Sequence, residues 1–321
     1  MPEIILAIGL SFLISLLIIP PFIGFLSKYK IGQSVRDDIP KIHLLKEGTP
    51  TMGGIAILLA IFLALLISGH LNSKTLLVFL IALGYALVGL VDDCYKVKRK
   101  SALGIKARYR LLAQAALASL VSLYLFYNSS CQVLVPFLDK SWNLGYLYIP
   151  FVICVLVGTA NAVNLTDGLD GLAIGAIIIS LFCFMGLSLK TGHQELSILC
   201  AVIVGVGFGF LWFNVYPAKV FMGDTGSLFL GSALAMIALL SKFELFLLIV
   251  GGIFVLEVVS VIIQVITFHL RGRRVFKMSP IHHHFELSGW SESQITVRFW
   301  VIGVILALIG WGAFSTTFYE C

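Results

Sequence analysis

Asp92 and Asp93 close an apolar run, Ala82–Val91. Adjacent carboxylates raise each other's pKa unless a cation or hydrogen-bond donors compensate, and the dipole at a helix C-terminus adds to the penalty. The pair is compatible with two readings, a hydrated helix end beside Lys96 or half of a cation site. Asp224 favours the second. It lies in Gly223-Asp224-Thr225-Gly226-Ser227, directly before another apolar segment, where the free N–H groups of a starting helix attract anions. Three carboxylates and several phosphates around a divalent ion form a hard-cation, oxygen-ligand arrangement. The chemistry such a site performs most often is phosphoryl transfer.

Other polar clusters stand out against the apolar background. Asn161-Ala-Val-Asn164-Leu-Thr-Asp167-Gly-Leu-Asp170-Gly171 carries two asparagines and two Asp-Gly steps. Thr166-Asp167-Gly168 reads as a turn with a helix cap, and the acceptor-rich backbone also suits a nucleobase or ribose. Lys46 to Gly54, which includes Thr51, is a further glycine-rich polar segment, and Asn214 and Phe221 precede Asp224. His282, His283 and His284 are consecutive, so they do not share a ligand spacing for zinc. A solvated turn or phosphate binding beside Arg271, Arg273, Arg274 and Lys277 fits them better. Glu257 sits inside an apolar run, where an acid is costly and faces a cavity or a partner. The six cysteines lack metal or disulfide spacing and read as small apolar residues.

The elements that must position these residues are membrane helices. The chain has 321 residues, 59% hydrophobic and 12% charged, with a mean hydropathy of +1.03. A soluble fold of this size cannot hide that much apolar surface, and the bilayer demands internally satisfied backbone. Period-two alternation is absent, which argues against an outer-membrane barrel. About ten segments reach spanning length: 4–26, 52–70, 75–92, 110–128, 148–165, 171–189, 197–214, 225–241, 244–269 and 297–318. The first reads as a retained helix, being too long for a signal segment and lacking a preceding basic residue. The last but one is a candidate for a kink or break. The expected fold class is all-α, a polytopic integral membrane protein with a single catalytic domain over 1–321.

The basic residues alternate by loop. Of 22 lysines and arginines, all but Lys74, Lys140, Lys190 and Lys242 fall on one side. The positive-inside rule puts that rich side in the cytoplasm and both termini outside. The net charge of +6 is thereby explained without nucleic acid. The carboxylates, asparagines and histidines gather on the same side. A transporter would place its polar site near the midplane between repeats, and no repeat is visible.

Together, Thr49-Pro-Thr-Met-Gly-Gly54, Val91-Asp-Asp93, Asn161–Gly171, Phe221-Met-Gly-Asp-Thr-Gly-Ser227 and Pro280-Ile-His-His-His-Phe-Glu286 resemble the signatures of the phospho-N-acetylmuramoyl-pentapeptide-transferase family. That family lies within the polyprenyl-phosphate N-acetylhexosamine-1-phosphate transferase superfamily. The match runs in order along nearly the whole chain, and the histidine element is similar to the muramoyl branch in particular. The resemblance implies a bacterial inner-membrane enzyme with its active site on the cytoplasmic face. It would join UDP-MurNAc-pentapeptide to undecaprenyl phosphate with Mg²⁺, in contact with membrane lipid; a homodimer is left open. It implies catalytic roles for Asp92, Asp93, Asp224 and His283, with Asp224 and Asp93 at the metal. Lys46, Thr51, Asn164, Asp167, Asp170, Asn214, Phe221, His282 and His284 would bind substrate. The alternative is a superfamily member using UDP-GlcNAc. Leu103-Gly104-Ile105 departs from the family's Gly-Leu pair, in a loop expected to lie away from the acidic residues.

Overall fold

The computed structural model describes residues 1–32, 48–99, 101, 103–138 and 140–318. Its helices are α1 (Pro2–Lys28), α2 (Gly54–Ile67), α3 (Ser73–Arg99), α4 (Ala107–Asn128), α5 (Tyr148–Thr166), α6 (Leu172–Lys190), α7 (Gln194–Asn214), α8 (Gly223–Leu240), α9 (Phe246–Val250), α10 (Gly252–Arg271), α11 (Ile281–Glu286) and α12 (Glu292–Phe318). Among the described residues, nine helical segments are long and apolar enough to cross a bilayer. The all-α polytopic reading therefore holds.

Two expected spans differ. The segment 52–70 yields the 14-residue α2, shorter than the ~20 residues a span needs. Met52 turns the chain with φ 69°, and Gly53 and Gly54 donate their N–H groups to Phe221 and Met222 carbonyls at 2.8 and 2.9 Å. The first residues thus join a tertiary contact and leave fewer for the helix. The segment 244–269 divides at Gly251 into α9 and α10. An antiparallel hairpin of two short strands, β1 (Gln132–Leu134) and β2 (Ser141–Asn143), links α4 to α5. Nothing in the hydropathy pattern pointed to it.

Helix α8 is the axis of the fold. It is apolar around its whole circumference, and nearly every side chain from Thr225 to Leu239 is buried, as expected of a helix surrounded by others. It packs against α3, α5 and α2, while α7 packs against α1 and α6. Two glycines set its first turn. A Cβ on Gly54 would collide with the Gly226 backbone, and one on Gly89 would collide with the Asp224 carbonyl. Close backbone approach of this kind replaces the hydrophobic driving force that helices in lipid lack.

Candidate active site

The N-terminus of α8 meets the C-termini of α3 and α5 and the first turn of α4. Asp93, on α3, accepts the Asp224 N–H at Oδ1 (3.0 Å). Its Oδ2 accepts the Thr225 N–H (2.9 Å) and the Thr225 hydroxyl (2.7 Å). Asp93 therefore caps a helix distant in sequence, satisfying N–H groups that α8 leaves free. Both Asp93 oxygens face the first turn of α8.

Asp224 projects from that capped turn. Its Oδ1 accepts from the Asn164 amide at 3.0 Å, and Asn164 also reaches the Ser227 hydroxyl at 2.9 Å. Its Oδ2 accepts from Lys96 Nζ at 2.9 Å and from Arg110 at 3.0 Å. Lys96 Nζ also lies 2.7 Å from Asp92 Oδ2. The other Asp92 oxygen accepts the Ile105 N–H at 2.7 Å, and a Cβ on Gly104 would strike this carboxylate. The Leu103-Gly104-Ile105 loop, expected away from the acidic residues, is instead built onto Asp92. The carboxylate needs a backbone donor, and only a residue without a side chain can come this close.

The charge balance of this cluster is negative. Asp92, Asp93, Asp167 and Asp224 converge with Lys96 and Arg110. Burial, helped by the charges of Asp224, Asp93 and Asp170 and opposed by Lys96, pushes Asp167 up to about 8. With Asp167 holding its proton at neutral pH, the three remaining carboxylates exceed Lys96 and Arg110 by one negative charge, an excess that a bound cation would offset. Among the described residues no three His, Cys, Asp or Glu side chains close on a single point. A cation here would take Asp92 and Asp224 oxygens and fill its remaining positions from phosphate and water, the usual habit of Mg²⁺.

The other expected residues sit around this centre with different tasks. Asp170 and Asn214 are buried braces. Asp170 accepts the Ala218 N–H (2.9 Å). Asn214 accepts the Gly171 N–H (3.1 Å) and donates to the Val220 carbonyl (2.8 Å). They lock the 167–171 loop to the chain leading into Asp224. Thr51 is buried at the turn before α2, its N–H bonded to the Ile31 carbonyl. Phe221 is half-buried, with its backbone bonded to Pro50 and Gly53. Lys46 lies outside the described residues.

The three histidines point three ways. His284 Nδ1 accepts the Lys277 N–H at 3.1 Å, and His283 Nδ1 lies 3.0 Å from Glu286 Oε2. His282 Nδ1 lies 3.1 Å from Glu257 Oε1, in full burial. His282 lies buried between α10 and Gly168. Lys96, Arg110, Thr225 and Ser227 were not anticipated as site residues. Lys96 carried a signal, standing one helical turn after Asp92, where i,i+4 side chains meet. Arg110 carried none beyond its charge.

Comparison with known sequences follows the same residues. Positions 75–242 match the family described as Glycosyl transferase family 4. Positions 46–58 match the Phospho-N-acetylmuramoyl-pentapeptide-transferase signature 1. Phospho-N-acetylmuramoyl-pentapeptide-transferase of Geobacillus sp. (strain WCH70) is 48% identical over 95% of this chain and 96% of its own length. The protein of that name from Thermodesulfovibrio yellowstonii is 46% identical, over 95% and 90%. That from Bacillus subtilis (strain 168) is 45% identical, over 96% of each.

Proposed function

The chain belongs to the phospho-N-acetylmuramoyl-pentapeptide-transferase family, and from that premise we propose that the Asp92–Lys96–Asp224 cluster is its reaction centre. The transfer takes phospho-N-acetylmuramoyl-pentapeptide from UDP-MurNAc-pentapeptide to undecaprenyl phosphate and gives lipid I and UMP, a step of peptidoglycan synthesis. One observation supports this centre above others. The family signature at 46–58 is hydrogen-bonded, through Gly53 and Gly54, to the strand of chain that delivers Asp224. Segments carrying the family's marks in sequence converge on one capped helix end.

The chemistry asks little of a base. A phosphate monoester has a second pKa near ~6 and is mostly a dianion at neutral pH. An acceptor oxygen attacks the sugar-linked phosphorus, a new P–O bond forms, and the bond to UMP breaks with its electrons leaving on UMP. The obstacle is the approach of two anions. Lys96 and Arg110 bind and orient phosphate oxygens, and Asp92 positions Lys96 for the acceptor. Asn164 holds the Asp224 carboxylate in place. We read the enzyme as Mg²⁺-dependent, with Asp224 and Asp92 holding the ion. When bound, it supplies neutralisation of developing phosphate charge.

We place the reaction centre on the cytoplasmic face of the bacterial inner membrane, with both termini outside, which takes the short α2 as a tenth crossing beside the nine long helices. The distribution of basic residues supports this. Purified protein with UDP-MurNAc-pentapeptide and undecaprenyl phosphate, with and without Mg²⁺, tests the reading. Release of UMP and lipid I only with Mg²⁺ is the expected result. Turnover of UDP-GlcNAc in place of the muramoyl donor would overturn it.

A further inference from the structure

Glu257 and His282 are both fully buried, one on the membrane helix α10 and the other on the short α11. Their closest atoms, Glu257 Oε1 and His282 Nδ1, are 3.1 Å apart. The approach is misaligned for a hydrogen bond, and neither Glu257 oxygen nor either His282 nitrogen finds a hydrogen-bond partner among the described residues. Four buried polar atoms in this condition do not stabilise a fold. An apolar pair of equal volume in such a place is commonly neutral or more stable, and unsatisfied buried polar atoms are costly. A membrane helix with an apolar lining has every reason to carry leucine or methionine there.

The other edge of the imidazole shows what the pair touches. A Cβ on Gly168 would collide with His282 Nε2. Gly168 does not have a positive φ, so its backbone would accept alanine; the histidine ring is what excludes a side chain. The ring therefore lies against the Asp167–Gly168 peptide, and Asp167 is within electrostatic reach of Asp224 and Asp93. A continuous line of contacts runs from α10 through His282 to the loop that faces the reaction centre.

We propose that Glu257 is a positioning residue: it holds His282 against Gly168 and thereby fixes the Asp167 loop opposite Asp224, acting without touching substrate. This rests on the proposed transfer reaction. A carboxylate packed 3.1 Å behind a buried histidine limits where the ring can sit, by contact and by charge. Displacing a positioned group by about 1 Å is enough to cost about 10²-fold in rate.

The test uses the full-length protein with the muramoyl donor and undecaprenyl phosphate. Three variants are compared with the parent: Glu257→Gln, the apolar pair Glu257→Met with His282→Phe, and Gly168→Ala. The expected result is a fall in kcat of at least about tenfold in each, with donor KM changed by less than about threefold. The apolar pair should also melt at or above the parent temperature. That combination separates positioning from support of the fold. Unchanged kcat in an active parent's variants would overturn this inference alone, as would a melting temperature that falls in step with kcat. A rise in donor KM with kcat retained would also overturn it, because His282 would then touch donor. A parent without turnover would overturn the proposed function and this inference with it.

Discussion

Thr225 donates both its backbone N–H and its hydroxyl to the same oxygen of Asp93, at 2.9 and 2.7 Å. This double contact ties the first turn of α8 to α3 and sets where Asp224 stands. Asp93→Asn presents an amide N–H₂ to one set of these donors. The variant is expected to lose about 1–3 kcal/mol of stability together with turnover. Thr225→Val, which removes only the hydroxyl, is expected to lose about 1 kcal/mol. Thermal unfolding in detergent beside the turnover assay checks both. A stable but inactive Asp93→Asn protein would instead favour direct metal ligation.

Asp224 and Asp92 are expected to fail differently. Asp224→Asn keeps the shape and removes the charge that Lys96 and Arg110 share. Turnover should fall by about 10³-fold, with its Mg²⁺ response abolished. Asp92→Asn should also cripple turnover and leave nucleotide-donor binding largely intact. Rates across a Mg²⁺ titration, with direct donor-binding measurements, distinguish the two. Near-normal turnover of Asp224→Asn with the parent's Mg²⁺ response would refute the metal assignment.

Phe221 is three residues from Asp224 and half-buried in the segment between α7 and α8, where its backbone bonds to the turn before α2. If its ring stacks on the donor's uracil, Phe221→Ala weakens donor binding by about 1–3 kcal/mol and spares undecaprenyl phosphate. Calorimetric or fluorescence titration with each substrate reads this. Equal loss for both would mark a membrane-interface aromatic.

At the other end of the bundle, burial pushes Glu244 up from 4.5 to about 7, against the pull of Lys242 and the Tyr148 hydroxyl. A raised carboxyl pKa means the folded state holds the proton more tightly than the unfolded one. Stability is therefore unaffected by this group below pH 4.5. It declines as pH rises from 4.5 to about 7, by up to about 3 kcal/mol. Glu244→Gln should flatten that decline and melt higher than the parent at pH 8. Melting curves at pH 5 and pH 8 measure it, and an unchanged pH dependence would refute the assignment.

Single cysteines introduced on a background without native cysteines test the orientation. Positions near Lys140 and Lys190 should react with an impermeant reagent from outside, whereas 92–108 should be protected until the inner face is opened. Outside labelling of 92–108 would reverse the topology.

Much of the molecule could be read before any coordinates, because a bilayer leaves few choices. Long apolar runs must be helices, and a carboxylate at the edge of such a run, as at Asp92 or Asp224, needs a stated reason to be there. Those two rules located the spans and the cluster at one end. The 14-residue α2 and the break at Gly251 were less legible, since hydropathy measures what a segment can bury and not where a tertiary hydrogen bond ends its helix. The tasks of single residues depended on tertiary structure altogether. Asp92 and Asp93 are neighbours in the chain, yet successive residues on a helix face about 100° apart, so one meets Lys96 and the other caps α8. Asp170, Asn214 and His282 are polar residues beside the site that turn inward as braces. Arg110 and Gly104 join the site only because α4 and its preceding loop fold back over α3. Residue type and spacing state which chemistry is available, and the direction of each side chain, set by packing over tens of residues, decides which of them perform it.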